Sequence, residues 1–255
     1  MQKDEAACRR RQLSVIKINE SEKIQLKEKL AGKFIVLDGP DGCGKTVQLR
    51  LLAEYLTNCG LDVVKTTDPG GTTIGNQISR LLKYDAQGVM DVNAEVMLFM
   101  ASRAQLVMEI VKPAIEKNKV VLCDRFISAT CAYQGSSGYS ANKVIELGKS
   151  AVGDIWPHLT IIIDIPVEQG LERTGRKPYQ KTKINHKDAN QAYLFKNAVV
   201  DRFDSRPLAY HRKVRKGFLR LAEYYPGIVK IVDGSKGNVE SVHEKIKQVI
   251  LEAEF

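Results

Sequence analysis

The chain has 255 residues, of which 44% are hydrophobic and 27% charged, a composition typical of a globular protein that buries a core and needs only one domain. It contains neither a run of about 20 apolar residues nor a signal-peptide-like start, so we expect no membrane span and a cytoplasmic location. The cysteines are odd in number and lack C-x-x-C spacing, which argues against a disulfide framework or a zinc site (Cys8, Cys43, Cys59, Cys123 and Cys131).

The net charge of +9 is concentrated in three stretches. Residues 1–32 carry a net charge of +3, residues 172–190 carry +4 and residues 202–220 carry +6. Such stretches occur in proteins that bind nucleic acids, but these ones are not interleaved with aromatic residues. Charge alone therefore leaves three alternatives open: a nucleic acid, a smaller anionic ligand, or a solvated basic face.

Residues 1–32 are predicted to form an extension of the folded domain, which we place at residues 33–255. The extension contains an arginine triplet at residues 9–11, and its charged run at residues 20–29 has few apolar anchors. A surface helix around residues 21–30 and disorder are both consistent with this composition. No residue of the extension suggests any chemistry.

A phosphate-binding loop is predicted directly after the first strand. Eight residues match the pattern G-x-x-x-x-G-K-[ST]: Gly39, Pro40, Asp41, Gly42, Cys43, Gly44, Lys45 and Thr46. The backbone N–H groups would wrap a polyphosphate, Lys45 would reach its β- and γ-phosphates, and Thr46 would bind Mg²⁺. An apolar run precedes the loop and a helical pattern at positions 49, 52, 53 and 56 follows it, which is the context that the motif requires. The alternative is a glycine-rich turn that binds nothing.

Strands and helices alternate along the rest of the chain. Apolar, β-rich runs predict strands at residues 33–38, 62–66, 119–123, 159–165 and 228–232. Helical periodicity covers residues 45–58, 73–84, 93–118, 141–151, 207–225 and 238–252, and Pro113 should kink or restart the third of these helices. The pattern predicts an α/β fold in which helices cover both faces of a parallel sheet. The non-periodic segment at about residues 173–202 is too long for an ordinary connection and indicates a lid.

Ligands of such folds bind beyond the carboxyl ends of the strands, and polar motifs follow several of the predicted strands. Residues 68–72 read Asp-Pro-Gly-Gly-Thr, residues 124–126 read Asp-Arg-Phe, and the fourth strand ends at Asp164. We therefore expect these motifs to meet the phosphate loop at one edge of the sheet.

Five stretches resemble motifs of the thymidylate kinases, a family of nucleoside monophosphate kinases. They are the phosphate loop and residues 68–72 (family E-P-G-G-T), 98–103 (L-F-x-A-x-R), 124–126 (D-R-Y or D-R-H) and 132–135 (A-Y-Q-G). The resemblance covers nearly everything from Lys33 to Leu251. It implies a P-loop NTPase fold, with a five-stranded parallel sheet flanked by helices and a mobile lid. It further implies phosphorylation of dTMP to dTDP by a homodimer that uses ATP and Mg²⁺.

The resemblance also assigns roles to the residues around the phosphates. Lys45 and the loop amides would hold the ATP phosphates, Thr46 would bind Mg²⁺, and Asp124 would hold the ion through water. Arg125 and Arg103 would clamp the phosphate of the acceptor, since guanidinium groups suit it. The nucleophile is an oxygen of that phosphate, already ionised near neutral pH. No general base is needed, and catalysis reduces to positioning and neutralisation of charge.

Further roles implied by the resemblance concern the sugar and base of the acceptor. Asp41 corresponds to the carboxylate that contacts the deoxyribose 3′-hydroxyl, and Phe99 to the aromatic ring that stacks on thymine. Thr130 and Gln134 correspond to family residues that contact the edges of the base or sugar. Tyr133 corresponds to a family residue that crowds the 2′-position of a ribose.

Each of these residues has a simpler structural alternative. Phe99 and Tyr133 are also consistent with positions in the hydrophobic core. Asp124 and Arg125 are also consistent with a structural ion pair, and Arg103 with an exposed side chain. The family context favours the functional role in each case.

The sequence departs from the family pattern at the acceptor site. Thr67 and Ser79 stand where members often carry arginine, and Arg80 is rotated by about 100° from the second position. Two cationic contacts to the acceptor phosphate are therefore expected to be missing, each worth roughly 1.5–3 kcal/mol. Weak binding of dTMP or a different acceptor would follow.

The predicted lid departs from the pattern as well. One subgroup of the family has a basic residue in the phosphate loop at the position of Gly42, and the other subgroup supplies it from the lid. Since glycine carries no charge, the lid should supply the catalytic cation here, with Arg173, Arg176 and Lys177 as candidates. The shorter bacterial lids lack the stretch at residues 178–200.

The interpretation that follows is an enzyme, a dTMP kinase whose partners are dTMP and ATP. A kinase of another nucleoside monophosphate is the first alternative, favoured by Thr67 and Ser79. A nucleotide-binding protein without turnover is the second, and the intact phosphate loop and Asp124 argue against it. An ATPase that binds nucleic acid is the weakest, so we expect no nucleic-acid partner.

Overall fold

The computed structural model describes residues 19–85, 90–175, 203 and 206–255. Its strands are β1 (Phe34–Asp38), β2 (Val63–Thr67), β3 (Val120–Asp124), β4 (Leu159–Asp164) and β5 (Ile228–Asp233). Its α-helices are α1 (Glu20–Leu30), α2 (Lys45–Asn58), α3 (Thr73–Arg80), α4 (Val92–Leu106), α5 (Lys112–Glu116), α6 (Ile127–Ser136), α7 (Ala141–Val152), α8 (Val167–Arg173), α9 (Leu208–Leu219) and α10 (Val239–Glu252). The strands lie within one residue of the predicted bounds, which confirms all five of those predictions.

The five strands form one parallel sheet in the order β2-β3-β1-β4-β5. Leu37 of β1 and Thr67 of β2 both pair with Asp124, the last residue of β3. The carboxyl ends of three neighbouring strands are therefore level with one another, and the loops that leave them converge at a single edge of the sheet.

The sheet is buried on both faces. Along β1, Phe34 and Val36 belong to a hydrophobic cluster shared with α4, α6, α7 and α9, whereas Ile35 and Leu37 belong to a second cluster shared with α1, α2 and α10. Because successive residues of a strand point to opposite faces, a strand covered on both sides must be apolar throughout. This explains the continuous apolar runs in the sequence.

Helix α1 lies within the predicted N-terminal extension and confirms the helical alternative for that segment. Asn19 caps the helix by accepting a hydrogen bond from the backbone N–H of Ser21. Leu26 and Leu30 are fully buried in the second cluster, so this part of the extension packs onto the domain and does not stand apart from it. Residues 1–18 lie outside the described part of the chain.

Two helices were not predicted, and one predicted helix is interrupted. Helix α6 was missed because nearly all its residues are buried, which removes the amphipathic period, and α8 has only seven residues. After α4 the chain makes a π-helical turn (Val107–Val111) and restarts as α5, whose second residue is Pro113. The predicted restart at this proline is confirmed.

Candidate active site

The phosphate loop joins the buried end of β1 to the N-terminus of α2. Gly44, which precedes the helix, has a φ of +95°, a conformation that only glycine adopts without strain. The helix N-terminus carries a partial positive charge and suits an anion. Lys45 is buried, and its Nζ donates hydrogen bonds to the carbonyl oxygens of Gly39 and Pro40, each at 3.0 Å. Its ammonium group is thereby fixed inside the loop.

The loop packs against α8 through two glycines. Gly42 has a φ of +73°, and a Cβ atom there would lie 2.1 Å from the carbonyl oxygen of Gly170. A Cβ atom on Gly170 would lie 2.2 Å from the carbonyl oxygen of Asp41. A side chain at either position would force the backbone to move, so the packing itself explains why the loop carries no basic residue at Gly42.

Thr46 and Asp124 meet at the carboxyl edge of the sheet. The Thr46 hydroxyl donates to Oδ2 of Asp124 at 2.7 Å, which joins the first turn of α2 to the end of β3. A hydroxyl and a carboxylate oxygen are the hard ligands that Mg²⁺ prefers. The two residues predicted for the metal are thus adjacent.

Arg125 adopts an uncommon backbone conformation and makes several contacts. Its φ is +71°, although it is not a glycine. One terminal nitrogen, Nη2, donates to Oδ1 of Asp41 at 2.6 Å and to the Tyr133 hydroxyl at 3.2 Å, and Nη1 lies 3.4 Å from Oδ1 of Asp38. Its ion pairs are made with Asp38 and Asp41, while Asp124 accepts from Thr46. The predicted alternative of an Asp124–Arg125 ion pair is therefore wrong.

Asp38 is a buried carboxylate that the sequence did not single out. Its Oδ2 accepts a hydrogen bond from the Ser128 hydroxyl at 2.6 Å, and its Oδ1 accepts one from the backbone N–H of Gly39 at 2.9 Å. Burial raises the pKa of Asp38, and the charges of Arg125 and Lys45 oppose that shift. Asp38 ties the phosphate loop, Arg125 and α6 together.

Asp41 and Tyr133 face each other across the site. The Tyr133 hydroxyl donates to Oδ1 of Asp41 at 2.8 Å, and the guanidinium of Arg125 lies 5.0 Å from the centre of the tyrosine ring. Burial raises the pKa of Tyr133 well above its usual value, so the hydroxyl stays protonated. Tyr133 also packs against Phe218 in the core, so it combines a core position with a position at the site.

A cavity of about 330 Å³ adjoins the phosphate loop and brings most of the predicted residues together. It is lined by Asp41, Lys45, Thr46, Thr67, Asp68, Pro69, Lys83, Phe99, Arg103, Asp124, Arg125, Ala129, Thr130, Tyr133, Gln134 and Phe203. The residues predicted for the phosphates and those predicted for the sugar and base therefore share one space.

Phe99 lies at this cavity and is only half-buried. Its ring centre is 6.2 Å from that of Phe203, and Phe203 in turn lies 6.5 Å from Tyr133. The core alternative for Phe99 is therefore wrong. Three aromatic rings line one part of the cavity, which suits a flat, apolar group.

Arg103 is fully buried, which contradicts the alternative of an exposed side chain. Its Nε donates to Oδ2 of Asp68 at 2.8 Å, and its Nη2 contacts the same oxygen and the Thr130 hydroxyl, the latter at 3.2 Å. Burial raises the pKa of Asp68, and the charge of Arg103 opposes the shift. Asp68 thus balances much of the charge of Arg103, and Thr130 fixes its place in the cavity.

Gln134 and Thr130, both predicted to contact base or sugar, are buried on neighbouring turns of α6. The side-chain amide of Gln134 donates to Oε2 of Glu95 at 3.0 Å. Glu95 was not predicted as a site residue. It is a single acidic residue in the first turn of α4, where a solvated carboxylate is the usual expectation.

Lys83 is a further residue that the sequence did not single out. It lines the cavity, and its positive charge lowers the pKa of Asp68, though less than Arg103 does. Across the described ranges, its ammonium group makes no hydrogen bond or ion pair. Lys83 stands four residues after Ser79, about one helical turn, and this spacing is the signal that could have identified it.

The predicted lid falls largely outside the described residues. Arg173 is the last residue of α8 and is exposed, and it is not part of the cavity lining. Arg176 and Lys177 lie outside the described part of the chain, as do the other residues up to 202.

Several arginines of the basic stretch at residues 202–220 are paired with carboxylates. Arg215 makes two hydrogen bonds to Asp164, at 2.7 and 2.8 Å. Arg212 pairs with Glu168, and Arg220 with Glu223. These pairs reduce the charge available to a nucleic acid, and part of the predicted basic stretch is explained by contacts within the fold.

The chain is similar to known proteins over most of its length. A family model described as thymidylate kinase matches residues 37–246. A thymidylate kinase of Geotalea uraniireducens is 42% identical over 211 residues, which cover 82% of this chain and 92% of the relative. A thymidylate kinase of Syntrophotalea carbinolica is 38% identical over 214 residues, covering 84% and 92%. The crystal structure of thymidylate kinase from Ehrlichia chaffeensis superposes with a TM-score of 0.63 at 29% identity, covering 86% of this chain and 98% of the other.

Proposed function

Since the chain belongs to the thymidylate kinase family, it is a phosphotransferase that converts dTMP to dTDP with ATP as donor, and we propose that the cavity beside the phosphate loop is its dTMP site. The observation that carries this proposal is the shared space. Lys45, Thr46 and Asp124 on the donor side line the same cavity as Arg125 and Phe99 on the acceptor side. Transfer of a phosphoryl group needs the two nucleotides to meet in this way.

On the donor side, the loop amides and the N-terminus of α2 bind the ATP phosphates, and Lys45 adds a positive charge. Thr46 and Asp124 would hold Mg²⁺, whose preferred ligands match their hydroxyl and carboxylate oxygens. When bound, the ion would neutralise charge on the transferred phosphoryl group and on the leaving group. The 2.7 Å contact between the two side chains supports this assignment.

On the acceptor side, Arg125 binds the phosphate of dTMP. Its guanidinium group is held by Asp38, Asp41 and Tyr133, so it is oriented before the nucleotide arrives. Asp41 contacts the sugar, and Phe99 stacks on the base. An oxygen of the dTMP phosphate attacks the γ-phosphorus of ATP, the bond to ADP breaks, and the chain positions the reactants and balances their charge.

For Arg103 we propose a role at the base end of the cavity in place of the predicted role at the acceptor phosphate. Its charge is largely balanced by Asp68, and its contact with Thr130 associates it with the end of the cavity assigned to base and sugar. We therefore assign Arg103 to the base end of the site. Arg125 and a cation of the lid, from Arg173 or Arg176, neutralise the phosphates.

Lys83 replaces one of the arginines missing from positions 67 and 79. Replacing it with methionine should raise the KM for dTMP about tenfold, because its ammonium group, which has no partner among the described residues, makes a charge-assisted contact to the acceptor. The KM for ATP should stay within about twofold. The measurement is steady-state kinetics with each nucleotide varied in turn, and Lys149→Met, at an exposed residue of α7 outside the cavity lining, is the control. An unchanged KM for dTMP would remove Lys83 from the site.

Acceptor choice is tested by the release of ADP in a coupled assay with dTMP, dUMP, UMP, AMP and CMP. The proposal expects dTMP to give the highest kcat/KM by at least about tenfold. A higher value for another nucleotide would make the protein a kinase of that acceptor. Binding of ATP without transfer to any acceptor would indicate a nucleotide-binding protein without turnover.

The enzyme is proposed to act as a homodimer through α3 and α4. Met97 and Met108 are 52% and 66% exposed and eleven residues apart, which places them on one face three helical turns apart. Ile74 and Leu81 are exposed two turns apart on α3 and the turn after it, and α3 packs on α4. Apolar side chains exposed together in this way favour association. A cytoplasmic location belongs to the same proposal and agrees with the buried free thiols of Cys43, Cys59, Cys123 and Cys131.

Replacing Met108 with lysine should convert the dimer to a monomer, because a charge in an apolar interface must lose its water. Light scattering coupled to size-exclusion chromatography gives the molar mass directly. Ile24→Lys, at a position 57% exposed on α1, is the matched control and should leave the mass unchanged. A wild-type protein that already runs as a monomer contradicts the proposal.

A further inference from the structure

We propose that Glu95 is a positioning residue, which fixes the amide of Gln134 so that its carbonyl oxygen faces the acceptor nucleotide. The site then selects a base that offers a ring N–H, as thymine and uracil do. This inference rests on the proposed function, because it assigns the cavity to the acceptor.

The contact between the two side chains determines which way the amide points. Both residues are buried, Glu95 to 3% exposure and Gln134 to 1%, and the Gln134 amide nitrogen donates to Glu95 at 3.0 Å. An ionised carboxylate can only accept hydrogen bonds. A flipped amide would set two oxygens against each other without a proton between them, which is costly in a buried place. Glu95 therefore holds the NH₂ group, and the carbonyl oxygen must face the other way.

That carbonyl oxygen is available to a ligand. Gln134 lines the cavity. Within the described residues its Oε1 makes no hydrogen bond. This oxygen is not completely buried. An acceptor that retains access to the cavity is thus presented there.

Glu95 is itself held in place. It lies in the first turn of α4, where the partial positive charge of the helix N-terminus favours a carboxylate. Its second oxygen, Oε1, lies 4.0 Å from the guanidinium of Arg206, at the start of the segment that leads into α9. The helix N-terminus and the charge of Arg206 both favour a carboxylate at this place, where it can hold the amide of Gln134.

The chemistry of the bases then gives selectivity. The N3 atom of thymine or uracil carries a hydrogen and can donate to the Gln134 carbonyl, whereas the N3 atom of cytosine is an acceptor. Cytosine would place two acceptors face to face, and a buried site built for one hydrogen-bond pattern discriminates strongly against a ligand that leaves it unmet. Glu95 on α4 thus sets the preference for a base with a ring N–H, and Gln134 on α6 makes the contact that enforces it.

Replacing Glu95 with glutamine tests the inference, since a glutamine at 95 can donate or accept and no longer dictates the orientation of Gln134. We expect the ratio of kcat/KM for dTMP to that for dCMP to fall about tenfold, through a higher KM for dTMP and a kcat within about threefold of the wild type. Glu109→Gln, exposed in the turn that follows α4, is the control and should leave the ratio unchanged. Thermal unfolding is measured alongside.

An unchanged ratio in Glu95→Gln, with or without a loss of stability, would overturn the inference and leave Glu95 a structural residue. If that variant does not fold, Gln134→Met removes the carbonyl itself, and an unchanged ratio in this second variant overturns the inference equally. Failure of the unmodified enzyme to use dTMP would overturn the proposed function and the inference together. Normal use of dTMP with an unchanged ratio in the variant would overturn the inference alone.

Discussion

Replacing Arg125 with lysine should lower kcat/KM for dTMP about a thousandfold, equivalent to about 4 kcal/mol of transition-state stabilisation. A lysine keeps the charge but offers a single ammonium group, which cannot span Asp38, Asp41 and Tyr133 as the guanidinium does. Asp38 would lose its ion pair while remaining buried, and the acceptor phosphate would lose a planar, preoriented donor.

The measurement is steady-state kinetics with dTMP varied at saturating ATP, together with ATP binding by calorimetry. ATP should still bind, because the phosphate loop is not changed, and this shows that the variant is folded. Arginine and lysine have the same backbone and Cβ atom, so the left-handed conformation of Arg125 should cost both residues about equally and the comparison isolates the side chain. Arg212→Lys, in an exposed pair with Glu168, serves as the control. A loss smaller than about tenfold would remove Arg125 from the acceptor site.

Replacing Asp124 with asparagine should lower kcat about a hundredfold and raise the Mg²⁺ concentration needed for half-maximal activity. Asparagine has nearly the same shape but no negative charge, so the Thr46 hydroxyl keeps a hydrogen-bond partner while the site binds a divalent cation less tightly. The change therefore separates charge from packing.

Activity is measured over a range of Mg²⁺ concentrations, and Mn²⁺ binding in the presence of ATP is followed by electron paramagnetic resonance. Asp62→Asn, at an exposed residue paired with Lys119, is the matched control. Wild-type dependence on Mg²⁺ in Asp124→Asn would contradict the assignment of this carboxylate to the metal.

Much of the fold was predictable because it depends on local patterns. Buried parallel strands must be apolar throughout, and the phosphate loop has a nearly invariant sequence pattern. The sheet and its first loop can therefore be predicted from the sequence. Helix α6 did not, since it is buried on nearly every side and shows no polar face. Helix α6 can be predicted only when the elements that pack around it are known.

The site was predictable in so far as its residues belong to motifs. Asp38 and Glu95 belong to none, because a lone carboxylate in an apolar strand or helix gives no local sign of its partners. Each acquires a role only through residues far along the chain: Asp38 through Ser128 and Arg125, and Glu95 through Gln134. The buried ion pair of Arg103 was not predictable for the same reason, since its partner Asp68 lies 35 residues away.

The contact between Gly42 and Gly170 constrains how this enzyme could evolve. An arginine at position 42 would meet the backbone of α8, so if the lid supplies the catalytic cation, as proposed, a substitution at Gly42 alone would not transfer that role to the loop. Helix α8 would have to shift at the same time, and each step alone would disrupt the packing. The close packing of these two glycines therefore favours a cation from the lid over one from the loop in the proposed mechanism.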